Sequence, residues 1–293
     1  MQQFEATIDA GAGAHAPGLT HDRGDGSARH DDTLASRRRA VERVIAAARE
    51  RMCEPFSLRE MSRIAYVSPF HFNRVFHQLT GLPPTKFIGA MRLSAAKRLL
   101  LTTTLSITDV CFEVGYNSLG TFTTRFTELV GLGPRQFRRL AERVTPTSMS
   151  SLCGHYAEMA RASARCPAVS GVVEAQARAE GPVFVGLFPA SAPQRRPLGG
   201  ALLTEPGPFH IGAVPDGVYY LLAASLPAAG DALEYLLPGG AGLLVGAGNG
   251  PVCVRRGRAA GRARVTLRPV EMTDPPLLIS LPFLLADARG RAV

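Results

Sequence analysis

Between Phe70 and His77 the chain reads FHFNRVFH, and residue types alternate there at helical spacing. Phe72, Phe76 and Leu79 recur at i, i+4 and i+7 and mark a core face. Phe70, His71, Asn73, Arg74 and His77 fall on the other side and offer ring, imidazole, amide and guanidinium groups. Such a set suits the reading of base edges. Arg matches the two acceptors of guanine, Asn the acceptor and donor of adenine, and an apolar ring the thymine methyl. Any surface helix is polar, however, so the surroundings must decide what this face does.

The surroundings contain a second copy. Laying Tyr66–Phe87 over Tyr116–Phe137 without a gap gives nine identities in 22 positions. They include both core phenylalanines (Phe72 with Phe122, Phe76 with Phe126) and the Gly, Leu and Pro that follow. The outer positions of the second copy are Leu119, Gly120, Thr121, Thr123, Thr124 and Arg125. Threonine hydroxyls reach phosphates or bases but discriminate less than Arg or Asn. The first copy is therefore expected to carry more of the specificity. Arg125, turned about 100° from Thr124 around a helix, is expected to meet a phosphate.

The elements that must position these residues are legible. Residues 1–35 lack a hydrophobic period and read as a disordered tail. Its histidines and aspartates (His15, His21, Asp22, Asp25, His30, Asp31, Asp32) are too irregularly spaced to claim a metal site. From Ser36, Val41, Val44, Ile45 and Ala48 form one face of an amphipathic helix. SLRE at Ser57–Glu60 is a capping-box sequence and begins a short helix to about Ala65. Ser68 and Pro69 suit the N-cap and first turn of a third helix, which Gly81 ends. A long helix runs from about Pro84 to Thr102. SITD at Ser106–Asp109 is a weaker cap pattern. It opens a short helix, a turn at Gly115, another helix from about Ser118 to Val130 and a closing GPRQFRRLAERV. Two units of short helix, turn and helix are thus joined by one long helix, and such a unit places its second helix in a major groove.

Charge agrees. Residues 36–145 hold 18 Lys+Arg against 8 Asp+Glu, a net +10 in a chain whose total is +9, which leaves −1 elsewhere. A basic surface confined to the repeat points to a polyanionic partner there. The arginine bias, with lysine only at Lys86 and Lys97, also fits a GC-rich genome. The five cysteines form no C-x-x-C pair or zinc spacing, and their odd number does not suit a disulfide framework. Reduced thiols in a cytoplasm are expected. No basic and apolar leader and no membrane span stands out.

Residues 37–140 resemble the DNA-binding domain of the AraC/XylS family of bacterial transcription regulators, about 104 of the 293 residues. The residues that carry the resemblance are Ile107, Asp109, Gly115 with Tyr116, Ser118, Phe122, Phe126, Gly131, Pro134 and Phe137 with Arg138. It implies an all-α, seven-helix domain whose two recognition helices enter successive major grooves. The family's base-contacting places fall on Phe70, Asn73 and Arg74, and on Leu119, Gly120, Thr123 and Thr124. Family members often have Arg or Gln at several of the latter, so this chain departs from the pattern in the second unit.

Residues 146–167 read as a linker. Cys153, His155 and Cys166 within it lack a fourth ligand. Residues 168–293 consist of short apolar runs separated by Gly, Pro and Asp: VSGVVEAQAR, PVFVGLFPAS, FHIGAVPDGVYYLLAASL, AGLLVGAG, RARVTLRPV and PLLISLPFLLA. The texture predicts a β-sandwich for regulation or assembly. The run FHIGAVPDGVYYLLAA resembles a signature of prealbumin-like, carboxypeptidase regulatory-like domains. No nucleophile with its base, paired carboxylates or phosphate loop is present, so neither an enzyme nor a cofactor is expected.

The reading is a multi-domain α and β chain that binds specific duplex DNA and regulates transcription, as activator or repressor. Its further partners would be an effector or a second copy, through the C-terminal region, and RNA polymerase. The rival is a protein-interaction or ligand-binding module whose basic helices dock to an acidic partner. A repair enzyme sharing the helical domain would need an activated or metal-held cysteine centre.

Overall fold

The computed structural model describes residues 25–143, 167–212, 214–226, 235–239 and 242–279. Most of the expected tail and the linker with Cys153, His155 and Cys166 lie outside them. The described residues divide by their contacts into two units, those up to Arg37 and those from Arg38 on.

Seven helices come first: α1 (Asp25–Glu50), α2 (Leu58–Ala65), α3 (Pro69–Thr80), α4 (Pro84–Thr102), α5 (Ile107–Glu113), α6 (Leu119–Val130) and α7 (Pro134–Arg143). The first begins at Asp25, ahead of the Ser36 that periodicity indicates. Residues 33–36 of it are exposed, so they carry no apolar stripe to be read. Extending a helix already nucleated by its buried half costs little per residue.

Caps set the short helices. Ser57 and Glu60 close a full capping box, with the Ser57 N–H donating to Glu60 Oε2 at 2.8 Å and the Glu60 N–H to Ser57 Oγ at 3.2 Å. The SITD sequence, expected to cap more weakly, closes the same box. Ser106 N–H donates to Asp109 Oδ2 at 3.2 Å and Asp109 N–H to Ser106 Oγ at 3.1 Å. Ser106 (φ −63°, ψ 159°), like Ser57 (φ −79°, ψ 154°), is extended, which turns its N–H toward the first helical turn, where the shorter aspartate also reaches it.

Two cores flank α4. Phe87, Ile88 and Met91 face a core with Val41, Val44, Ile45, Phe72 and Phe76. Ala90, Leu93, Ala96 and Leu100 face another with Val110, Phe122, Phe126 and Phe137. A helix buried on both sides shows no single apolar stripe. The aromatic trio repeats: Phe76 meets Phe72 at 5.4 Å and Phe87 at 5.3 Å, and Phe126 meets Phe122 at 5.6 Å and Phe137 at 5.7 Å. Tilted and edge-on contacts at such distances suit ring quadrupoles.

The strands are β1 (Val169–Ala175), β2 (Val183–Phe188), β3 (Gly199–Leu203), β4 (Pro208–Ile211), β5 (Gly217–Ser225), β6 (Leu244–Arg255), β7 (Arg258–Ala259) and β8 (Ala263–Pro269). They pair in the order β3-β2-β5-β6-β8-β1-β4, with β7 on β6. All these pairs are antiparallel except β1 with β8. The path curls until its ends approach. A Cβ on Gly199 of β3 would lie 2.8 Å from Val214 Cγ1 and 2.9 Å from Ile211 Cγ2, so only glycine fits there. The inner faces enclose one core, from Val173, Val185, Leu221 and Val265 to Phe209. The result is the expected sandwich-like β part, built from one continuous sheet.

The last run, expected to be a strand, is not one where it is described. Residues 275–279 are irregular, and Leu278 is buried in the helical core with Phe126 and Phe137. Pro275 and Pro276 lack N–H donors for a ladder. The carbonyls of Leu277 and Leu278 accept instead from Lys97 Nζ, at 3.4 and 3.1 Å. The strands β3 and β7 escaped the apolar-run pattern, β3 opening on two glycines and β7 having only two residues.

Candidate nucleic-acid interface

Helices α3 and α6 begin alike. Ser68 Oγ accepts from the His71 N–H and Ser118 Oγ from the Thr121 N–H, each at 3.4 Å. Gly81 (φ 72°) and Gly131 (φ 93°) end them in the left-handed conformation, their N–H groups returning to His77 O and Thr127 O. Each helix buries its phenylalanine face and leaves the other to solvent. All ten residues singled out from the sequence are exposed: Phe70, Asn73, Arg74 and His77 on α3, and Leu119, Gly120, Thr121, Thr123, Thr124 and Arg125 on α6. His71 is half-buried.

Their engagements differ. The side chains of Asn73, Arg74 and His77 make no hydrogen bond or ion pair with any described residue. Arg125 does: Nη1 lies 3.1 Å from Glu128 Oε2, and Glu128 also takes Arg195 from the loop after β2. An exposed pair of this kind is worth little and yields readily to a phosphate. Phe70, at 83% exposed, is a bare ring with no intramolecular reason to face water.

The turns before the two helices differ, although both tyrosines are shared by the repeat. In the first unit Tyr66 itself is left-handed (φ 59°) and 86% exposed, with the Arg43 guanidinium 5.8 Å from its ring centre. In the second, Gly115 takes that conformation (φ 79°) one residue earlier. Tyr116 then folds inward, and its ring meets Phe122 at 5.4 Å. The cause is local: Ala65 continues its helix where Gly115 ends one. Burial pushes the Tyr116 hydroxyl pKa up.

Two arginines outside the set predicted from the sequence enlarge this face. Arg59 and Arg63 of α2 line a concavity with Tyr66, Ser68 and Pro69 at the start of α3. There cations and a helix N-terminus stand together, an arrangement favourable to a phosphate. The signal was present as exposed arginines at i and i+4 of the capped helix. Among the described residues no helix is long and apolar enough to cross a membrane.

Known proteins match in the same region. A helix-turn-helix domain family model matches residues 61–140. The chain is 30% identical over 94 residues to the uncharacterized HTH-type transcriptional regulator YobQ of Bacillus subtilis, covering 32% of this chain and 39% of that protein. It is 30% identical over 89 residues to the bifunctional transcriptional activator/DNA repair enzyme AdaA of the same organism, covering 30% and 42%. The chain thus spans less than half the length of these relatives. Among solved structures, the DNA-binding domain of the transcriptional factor AdpA, in complex with a target DNA, is 29% identical, covering 35% of this chain and 93% of that one, with a TM-score of 0.34.

Proposed function

We propose that the chain is a sequence-specific transcription regulator that binds duplex DNA through α3 and α6, and that the helix-turn-helix domain matched over residues 61–140 is of the AraC type. One observation carries the reading. The two repeat-related helices leave their polar faces exposed within the most basic part of the chain, and on α3 the Asn73 and Arg74 groups are unengaged. Unpaired forked donors on a grooved surface are what direct base readout requires. Arg59, Arg63 and Arg125 supply phosphate contacts that fix register. The β part regulates the helices or assembles the protein, the chain catalyses no reaction, and it works in a bacterial cytoplasm. The regulators it resembles in the matched segment support this reading.

Selection of bound sequences from a random duplex pool by the full chain tests it. The expected result is an enriched operator with two segments about one helical turn apart, bound with an affinity that falls steeply with salt as counterions are released. Retention of no sequence over competitor DNA, with tight binding to acidic proteins, would replace it with the docking-module reading.

A further inference from the structure

A cavity of about 390 Å³ lies between the outer face of the sheet and the C-terminal end of α3. That size falls within the roughly 300–1,000 Å³ typical of small-molecule sites. Phe184 and Phe188 of β2, Leu222 of β5 and Val245 of β6 make its apolar floor. A Cβ on Gly186 would come within 2.7 Å of the Phe188 ring and 3.0 Å of the Phe184 ring, so glycine lets both rings lie down on the sheet. Leu277 and Ile279 close one side, and Thr80, Gly81, Ser191 and Pro193 form the roof.

The polar groups in the lining are largely satisfied. Thr80 Oγ1 donates to the carbonyls of Phe76 and Leu82, each at 2.9 Å, and Ser191 Oγ to that of Gly81 at 3.4 Å. Arg268 holds Asp274 with both terminal nitrogens, at 2.7 and 2.8 Å. The charges of this pair cancel. An anionic ligand would have to displace Asp274 from Arg268 and a cation would have to displace Arg268 from Asp274, whereas a neutral molecule does neither.

The roof connects to the exposed helix faces. The β2–β3 loop that carries Ser191 also buries Ala192 in the first helical core. Its Arg195 N–H donates to the Leu129 carbonyl at 3.1 Å, and the Arg195 side chain pairs with Glu128. One loop therefore touches the ends of both α3 and α6.

We propose that this cavity is the site of a compact, uncharged, mainly apolar ligand, aromatic or branched aliphatic, and that its occupancy is coupled to DNA binding through the β2–β3 loop. The ligand's single polar group would face the Arg268–Asp274 pair. Coupling is reciprocal: a ligand that favours one setting of the loop changes operator affinity, and operator changes ligand affinity by the same factor. The coupling rests on the DNA-binding reading, whereas the cavity itself does not.

The test uses the full chain with labelled methyl groups and indole as probe, with benzoate as the anionic control. Indole should shift the Leu222, Val245 and Ile279 methyl signals and show close contacts to them in nuclear Overhauser spectra, while benzoate does not. Leu222→Trp and Thr266→Phe, from two strands of the lining, should each weaken indole binding at least about tenfold, and saturating indole should change operator affinity at least about fivefold. The contacts are read on the unaltered chain, so they decide the site even if a variant misfolds. Indole contacts elsewhere or none at all, or benzoate binding equally well, would overturn the site. Indole seated in the cavity with operator affinity unchanged would overturn the coupling. A chain that selects no DNA would defeat the regulator reading, while the methyl contacts still decide the cavity.

Discussion

Arg92 on α4 donates from Nη1 to the carbonyl of Gly115 at 3.0 Å, across the turn of the second helix-turn-helix unit. Its Nη2 donates to the carbonyl of Glu54 at 2.6 Å, in the loop leading to the first unit. One guanidinium thus holds the entrances of both units against the helix that joins them. Arg92→Met keeps much of the stem and removes the donors. It should cost about 1–3 kcal/mol of stability, since two carbonyls lose a charged partner. Affinity for a full operator should fall more than affinity for either half, measured by titration of both DNAs. Equal losses would show that Arg92 does not set the spacing of the units.

Gly115 is constrained twice. Its φ of 79° disfavours side chains, and a Cβ would approach Met52 O to 2.8 Å and Cys53 O to 3.0 Å. Backbone carbonyls cannot swing away as side-chain ends can. Gly115→Ala should therefore destabilise by roughly 1–3 kcal/mol. Gly120→Ala, with only Ser118 Oγ near at 3.8 Å, should be neutral or stabilising. Urea melts of the two variants check this ordering.

Arg74 and Thr124 occupy matching, exposed positions of the repeat. Arg74→Ala should cost roughly 1–3 kcal/mol of operator affinity and relax one or two base pairs, while Thr124→Ala does less. Arg125→Ala should weaken all sequences alike and lower the salt slope by about one unit. Binding and melting temperature of each variant are measured together. Loss of folding in Arg74→Ala, or of sequence preference in Thr124→Ala alone, would move the readout away from α3.

Lys97 is buried at 1% exposure between the helices and the 275–279 segment, and burial pushes its amine down to about 7. Leu277 O and Leu278 O accept from it, and the Phe137 ring centre is 5.6 Å away. An unfolded chain keeps a lysine near about 10.4. Between those values the unfolded state binds more protons, so this group makes stability rise with pH from about 7 to about 10. Lys97→Met should flatten that rise, whatever constant cost the two freed carbonyls add. Urea unfolding at about pH 6.5 and about pH 9.5 compares the slopes. Parallel slopes for parent and variant would mean that Lys97 titrates normally.

Much of the helical half is legible in the chain because its signals are local. Caps at Ser57, Ser68 and Ser118, stops at Gly81 and Gly131, and phenylalanines at i and i+4 act within one or two turns. The face opposite Phe72 and Phe76 follows from helical geometry alone, which is why the exposed set on α3 could be named from spacing. Arg125 was legible as exposed, but its partner Glu128 is shared with Arg195, 67 residues away, and no periodicity reports that. The opposite settings of Tyr66 and Tyr116 hang on Ala65 against Gly115, a one-residue shift of the left-handed turn that sequence identity masked.

The two helix-turn-helix units, their exposed faces and the β character of the C-terminal half are readable from residue order, since each follows from residue period, caps and glycines acting on neighbouring backbone. Long-range packing makes the strands one curled sheet, buries Lys97 under the Leu277 and Leu278 carbonyls, and brings the β2–β3 loop to the ends of both α3 and α6. Those contacts join residues far apart in the chain, and their stability comes from closing surfaces together, a property that no local pattern of residues records.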